Sequence, residues 1–503
     1  MSQHQQENEP RRNERGRTRN RGQSGPRRYS QAAPSQRKRA ADPARLVAFK
    51  TLREVTGNDA YANLVLPSLI REYRLDRRDA GFATELAYGA LRGQGLYDSV
   101  LSTLVDRPLN ELDPAILDAL RIGSHQLLAM RVPKHAALDE TVSLVRAQIG
   151  AGPSGLVNAV LRRVSETSAE QWIQRLTEQA SSDSQKLATA YSHPEWIVRA
   201  LRGALVAHGR DAAELEALLE ADNAAPVVNL VALPGLGDLS AAMELGAEPG
   251  QMVEASATYK HGDVSRVPGV KDGSVRVQDA GSQIMARVLA AVPLPDGGED
   301  RYWLDLCAGP GGKAALLGAL AVQRDARLTA NEPAAHRARL VEDSLKAVPQ
   351  DYWMVTSQDG RDYGSSDYAG DYDRIMVDAP CSGLGALRRR PESRWRKAPR
   401  DIPELTSLQG ELLDAAFSAV RVGGVIGFVT CSPHQAETRL VVEDFLKRHP
   451  EAKLLDTAAA LEQVMLPQAP AAGHSLGDGS TAQLWPHVHG TDAMFMALLS
   501  KTA

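Results

Sequence analysis

Between residues 302 and 378, four strand-like runs follow one another, and each ends at an acid. Residues 302–304 lead to Asp305, 328–331 to Glu332, the run around Val355 to Asp359, and 374–377 to Asp378. Over residues 276–503 such runs alternate with helical patterns, which is the signature of a parallel sheet. In a doubly wound sheet the residues at the carboxyl ends of the strands face one ligand crevice. A single acid at a strand end reads as a cap or a turn residue. Four in succession predict a crevice lined with carboxylates, so the C-terminal half is expected to be a doubly wound α/β domain.

The first run passes through Asp305-Leu306-Cys307-Ala308-Gly309-Pro310-Gly311-Gly312-Lys313 into a helical pattern. Gly309, Gly311 and Gly312 allow close backbone approach, and the helix start offers free N–H groups. Neither Gly-x-Gly-x-x-Gly nor a Gly-Lys-Ser/Thr phosphate loop is present. Alone, the turn suits a dinucleotide, a phosphate or the amino-acid end of S-adenosylmethionine. Glu332 lies about 20 residues beyond the glycines, where a carboxylate accepts ribose hydroxyls. Asp359 ends the third run, where an acid can accept an adenine amino group. The missing fingerprint disfavours a nicotinamide oxidoreductase. Cys307 reads as a small buried residue of the turn rather than a nucleophile.

The chain has only three cysteines, Cys307, Cys381 and Cys431. This sparse odd set argues against a disulfide framework and fits a reducing cytoplasm. No Cys-x-x-Cys or compact His/Cys cluster points to a metal. Cys381 follows the fourth run in Asp378-Ala379-Pro380-Cys381-Ser382-Gly383, and Cys431 follows the run 425–429 in Thr430-Cys431-Ser432. Two thiols and Asp378 are therefore expected in one crevice. A thiolate that adds to C6 of cytosine makes the ring an enamine, and C5 can then attack an electrophilic methyl group. That chemistry requires a nucleophile, a donor at N3 and a base for the C5 proton. The thiol must be activated by its surroundings, and a carboxyl that donates to N3 must hold a proton. Spacing does not decide which cysteine attacks.

The 503 residues are 43% apolar, enough for two to four domains. No apolar run approaches the roughly 18 residues of a membrane span, and the N-terminus lacks the apolar core of a signal peptide. Residues 1–41 hold eleven of the 58 Lys/Arg but three of the 62 Asp/Glu; the remaining 47 bases and 59 acids leave a net −12. This Arg-, Gln- and Gly-rich arm has too little apolar surface to fold, so a disordered tail is expected. It reads as a phosphate-binding arm or a solubilising tail. Residues 42–168 read as all-helical. Asp42-Pro43 resembles a helix start, Leu46, Phe49, Leu52 and Val55 mark one buried face, and further helices are expected over 59–72, 79–92, 96–104, 113–130, 135–149 and 153–164. Residues 169–275 read as connecting helices and a small α+β module, with a helix starting near Tyr191–Trp196. Asp279 or Ser282 is expected to cap a helix over 283–292. Residues 468–481 suggest a mobile loop, and 493–499 a buried strand of a closing hairpin.

Two resemblances attach to these residues. Glu85-Leu86-Ala87-Tyr88-Gly89-Ala90-Leu91-Arg92, residues 120–128 and Val157-Asn158-Ala159-Val160-Leu161-Arg162-Arg163 resemble the NusB-like helical RNA-binding domain. Residues 372–383 with Thr430-Cys431-Ser432, Arg388-Arg389-Arg390-Pro391-Glu392, Arg394-Trp395-Arg396 and 401–405 resemble the RNA 5-methylcytosine methyltransferases, in the NusB-domain branch acting on small-subunit ribosomal RNA. The segment 192–196 is similar to the one that links the two main domains there. The likeness spans about residues 42–500.

It implies a Rossmann-like doubly wound S-adenosylmethionine methyltransferase domain at 276–503, preceded by a NusB-like bundle at 42–168 and a small α+β linker module at 169–275 that helps to grip RNA. It makes Cys431 the nucleophile and Cys381 the release residue, with Asp378 between them. It places the cofactor against Asp305, Cys307, Ala308, Gly309, Pro310, Gly311, Gly312, Lys313, Glu332, Asp359 and Asp378. It places RNA phosphate against Arg388, Arg389, Arg390, Arg394 and Arg396, with Arg92, Arg162 and Arg163 as further RNA candidates. Two departures stand out: Gly309 replaces the usual alanine, and Glu332 replaces the usual aspartate. The expected activity is S-adenosylmethionine-dependent methylation of cytosine C5 in RNA by a metal-free, non-membrane, cytoplasmic monomer. A non-catalytic RNA-binding or antitermination factor is the alternative, and the intact cysteines and acids speak against it.

Overall fold

The computed structural model describes residues 41–260, 263–470, 476–477 and 479–503. The basic arm expected at the N-terminus lies outside the described residues except for Ala41, and so do residues 471–475 and 478 of the loop expected over 468–481.

Seven helices form the first bundle: α1 Pro43–Gly57, α2 Ala62–Glu72, α3 Arg77–Arg92, α4 Gln94–Ser102, α5 Pro114–Leu128, α6 Lys134–Gln148 and α7 Ser154–Ser165. Their starts follow local chemistry. The Asp42, Asp76 and Asp113 side chains accept from Arg45, Asp79 and Ala115 N–H groups, and Pro43 and Pro114 occupy first-turn positions. Phe49, Leu52 and Val55 of α1 are buried, as their spacing predicts, with Leu46 packed at the core edge. The helix α5 runs through the centre, where Leu161 fills the space beside Gly123. Trp172 joins the same core. It lies on α8 Ala169–Thr177, so the bundle extends just past residue 168.

The helices α9 Asp183–Ala190, α10 Glu195–Ala207 and α11 Leu215–Asn223 lead into a small antiparallel sheet. Its strands are β1 Val228–Ala232, β2 Glu248–Pro249, β3 Ser256–Tyr259 and β4 Val275–Val277, in the order β2-β3-β1-β4. The expected boundary at 275/276 is corrected here. Leu230 pairs with Val277 and Ala232 with Val275, so β4 closes the small sheet before the next domain opens.

That domain begins with a helix over Ala280–Ala291, three residues earlier than expected and capped by Asp279 rather than Ser282. Its strands are β5 Tyr302–Asp305, β6 Arg327–Asn331, β7 Trp353–Thr356, β8 Tyr372–Asp378, β9 Val420–Thr430, β10 Ala452–Leu454, β11 Thr481–Gln483 and β12 Phe495–Lys501. The order is β10-β12-β9-β8-β5-β6-β7, with β11 against β12. The strands β9, β8, β5, β6 and β7 are parallel, whereas β12 is antiparallel to β9, β10 and β11. The sheet is doubly wound with an antiparallel edge, a common variant of α/β sheets. Side chains alternate across it. Trp303, Met376, Val425 and Val429 pack with the helices 280–291 and 312–322, and Leu304, Ile375, Val377 and Phe428 pack with 402–419 and 439–448. After β5 the chain goes to β6 and β7, then returns to β8 on the other side. The switch point therefore lies between β5 and β8, where ligands bind in such sheets. Among the described residues no helix is long and apolar enough to cross a membrane.

Candidate active site

Asp305 and Asp378 end the neighbouring parallel strands β5 and β8 at the switch point. Asp305 ends β5, is fully buried, and has neither oxygen in a hydrogen bond of good geometry. Burial, reinforced by the Asp378 charge, pushes its carboxyl up to about 7. The turn that follows contains Cys307, Ala308, Gly309 and Pro310, and Gly311 adopts φ +102 before the helix Gly312–Val322. This left-handed conformation suits glycine. A side chain at 311 would also meet Ser344 and Val341. Burial pushes the Cys307 thiol well up, consistent with a passive residue.

Glu332 is buried just beyond β6. It accepts from Ala334 N–H at 3.0 Å and pairs with Arg337 at 3.3 Å, while Arg337 also donates to the Gly309 carbonyl at 2.9 Å. A β-carbon at Gly309 would lie 1.9 Å from Glu332 Oε2. The two departures from the usual pattern are therefore one feature, in which the longer acid occupies the space a methyl group would need. Asp359 is held differently from expectation. Its carboxylate is gripped by Arg361 through Nε at 3.0 Å and Nη2 at 2.6 Å, which keeps it down at about 2. An adenine amino group would have to compete with that pair.

The two cysteines meet. Cys381 Sγ and Cys431 Sγ lie 3.4 Å apart, both half-buried, at the ends of adjacent parallel strands. The hydrogen bond favours a proton on Cys381 and a thiolate on Cys431. It raises the first thiol and lowers the second, even though burial works against the Cys431 anion. Lys313 Nζ donates to Asp378 Oδ2 at 2.8 Å. Burial pulls this ammonium down, but the Asp378 carboxylate more than compensates and holds it above its ordinary value. The Lys313 charge also favours the Cys431 thiolate.

Three of the proposed RNA contacts, Arg388, Arg394 and Arg396, need correction. Arg394 is fully buried, donating to the carbonyls of Arg92, Ser192 and Asp222 and to the Asn223 side chain. Arg396 donates to the Val55 and Ala60 carbonyls. Arg388 is buried against the Gly490 carbonyl, Asp279 and Asp492. Arg92 is half-buried, and its carbonyl accepts from Arg394 at the same seam. The physical reason is that a guanidinium can satisfy several acceptors at once: Arg394 and Arg396 bond carbonyls of other parts of the chain and join domains, while Arg388 is held by a carbonyl and two acids of its own domain. Arg389 pairs with Asp492 but keeps part of its surface, and Arg390 lies over the Tyr61 ring. Arg162 and Arg163 remain exposed on α7.

Several residues of the site were not legible in advance. Gln278 is buried beside Gly312 with both amide atoms unbonded. Asn331 ties the three loops after β5, β6 and β7, donating to Leu306 and Gln358 carbonyls and accepting from Thr356. Glu437 is buried beneath the cysteine turns, accepting from Ser382 and Ser432. A lone Gln, Asn or Glu carries no motif signal, and the partners of these three are spread along the chain.

Residues 293–500 match the family described as 16S rRNA methyltransferase RsmB/F, and residues 42–166 match the NusB family. The Mycobacterium tuberculosis chain Rv1407, named as a candidate methyltransferase, is 46% identical over 469 residues, covering 92% of this chain and 98% of that one. The ribosomal RNA small subunit methyltransferase B of Pseudomonas putida is 33% identical over 429 residues, covering 83% of this chain and 93% of that one. The crystal structure of PH0851 shares the fold with a TM-score of 0.75 at 21% identity, covering 92% of this chain and all of that one.

Proposed function

The chain belongs to the RsmB/F family of 16S rRNA methyltransferases, and from that premise we propose that it methylates C5 of a cytosine in small-subunit ribosomal RNA through a covalent bond from Cys431. The observation that carries this reading is the pair of sulfurs 3.4 Å apart, with the Lys313–Asp378 pair at 2.8 Å beside them.

The residues at the switch point fit S-adenosylmethionine. Asp305 and Gln278 offer buried unbonded polar atoms, the Gly311 turn brings backbone close, and Glu332 stands where ribose hydroxyls are accepted. When bound, this cofactor supplies an electrophilic methyl group. The protein's own residues do the rest. Cys431 adds to C6 as a thiolate while N3 takes a proton from the Lys313–Asp378 pair, leaving an enamine with its electrons at C5. Once C5 carries the methyl group, a base takes the C5 proton, the C5–C6 double bond re-forms, N3 returns its proton, and Cys431 leaves as a thiolate. Cys381, beside that sulfur, is assigned to this release.

The bundle of residues 42–166 and the exposed Arg162 and Arg163 are assigned to RNA binding, as are Arg389 and Arg390 at the rim of the site. With labelled methyl donor and small-subunit ribosomal RNA, the wild-type protein is expected to place label on C5 of a cytosine, and Cys431→Ser to place none. Label on another atom or base would overturn the reading.

A further inference from the structure

A buried carboxylate is costly unless several donors meet it. Glu437 is fully buried and receives them from both cysteine turns. Ser382, the residue after Cys381, donates its N–H at 2.7 Å and its hydroxyl at 2.5 Å. Ser432, the residue after Cys431, donates its hydroxyl at 2.7 Å. The Gln409 side chain, 3.4 Å from Glu437, also donates at 2.8 Å to the carbonyl of Pro380, the residue before Cys381. One carboxylate thus holds the neighbours of both cysteines. The two turns sit on separate strands, 50 residues apart in sequence, and their sulfurs are in contact.

We propose that Glu437 is the positioning residue of the thiol pair, clamping the two Cys-Ser turns so that the sulfurs meet and holding the shared proton on Cys381 by its charge. It touches neither the sulfurs nor the reacting atoms, and acts through Ser382 and Ser432. The electrostatics agree with this direction. The Cys381 thiol is raised first by its bond to Cys431, then by burial, and Glu437 acts in the same sense. The other charged groups facing the pair do not distinguish the two sulfurs so simply. Lys313 favours the Cys431 thiolate, whereas Asp378 and Asp492 oppose it. Cys431 in turn favours the charge of Arg389. The proposal rests on the reading of Cys431 as nucleophile and Cys381 as release residue, but its test needs neither RNA nor methyl donor.

The test is the pH dependence of iodoacetamide alkylation of the full chain, resolved for each cysteine by mass spectrometry. In the wild type, Cys431 is expected to react at lower pH than Cys381. Glu437→Gln keeps the shape and can still bond Ser382 and Ser432 while removing the charge. It is expected to lower the Cys381 midpoint by roughly one pH unit and narrow the gap, with Cys307 unchanged as an internal reference for folding. An unmoved Cys381 midpoint alongside an unchanged Cys307 overturns the proposal. If Cys307 also becomes reactive, the Ser382→Ala/Ser432→Ala double variant decides the matter, since it removes both hydroxyl links of the clamp and spares the carboxylate. A narrowed gap supports the clamp, and an unchanged gap overturns it. A failure of wild-type RNA methylation would leave these alkylation profiles untouched, so the two readings fail separately.

Discussion

Each acid of the crevice has its own surroundings, and these set what its substitution does. Asp305 has a folded value of about 7, above its ordinary 3.8. A carboxyl raised on folding binds its proton more tightly in the folded state. The contribution of Asp305 to stability is therefore most favourable below about pH 4 and declines as pH rises to about 7. In thermal unfolding without cofactor, Asp305→Asn is expected to flatten the decline between pH 4 and 7; an unchanged slope would assign it to other groups, such as Asp222, which burial also lifts to about 7. Gly309 and Glu332 should behave as a coupled pair, because a methyl group at 309 collides with the carboxylate. Gly309→Ala is expected to weaken cofactor binding about tenfold, and Glu332→Asp in the same chain to restore most of it. Additive losses in the double-mutant cycle would contradict the coupling. Asp305 and Asp378 were legible because a strand's last residue has little freedom in where it faces, and Glu332, Asp359, Cys381 and Cys431 because each follows within three residues of a strand end. Glu437 and Gln278 were not, because burial and partners far along the chain give them their meaning.

At the scale of elements, the segment from Arg388 to Arg396 joins the methyltransferase domain to the helical bundle. Glu392 accepts from Ala62 N–H at the start of α2 at 3.1 Å, and Trp395 packs beside Gly95. Arg394 meets carbonyls on three separate parts of the chain through both Nη1 and Nη2. Lysine cannot reproduce that fork. Arg394→Lys is expected to cost on the order of 2 kcal/mol in denaturant unfolding, since buried carbonyls and the Asn223 side chain lose donors. A loss of RNA affinity at unchanged stability would restore the phosphate reading. The sequence misled here because a run of arginines beside an active-site motif resembles a phosphate grip, and nothing local reveals that the charges turn inward. The helices of the bundle were legible almost to their ends, since proline and aspartate mark their starts. The strand β4 was not, because Val275–Val277 reads equally well as the last strand of one sheet or the first of the next.

For the whole molecule, the doubly wound sheet places Asp305 and Asp378 on neighbouring strands and Cys381 and Cys431 just beyond adjacent ones, while the bundle is fastened to the loop that follows Cys381. This topology followed from the alternation of strand and helix patterns. The antiparallel β12 and the depth of the domain seam did not, since both depend on contacts between distant segments. The most direct test of the proposed chemistry is to purify Cys381→Ala and Cys431→Ala with cellular RNA and look for a protein–RNA adduct that survives denaturation. The expected result is a covalent adduct with Cys381→Ala, whose release step is lost, and none with Cys431→Ala. An adduct with Cys431→Ala and none with Cys381→Ala would exchange the two roles, and no adduct with either would contradict covalent catalysis by this pair.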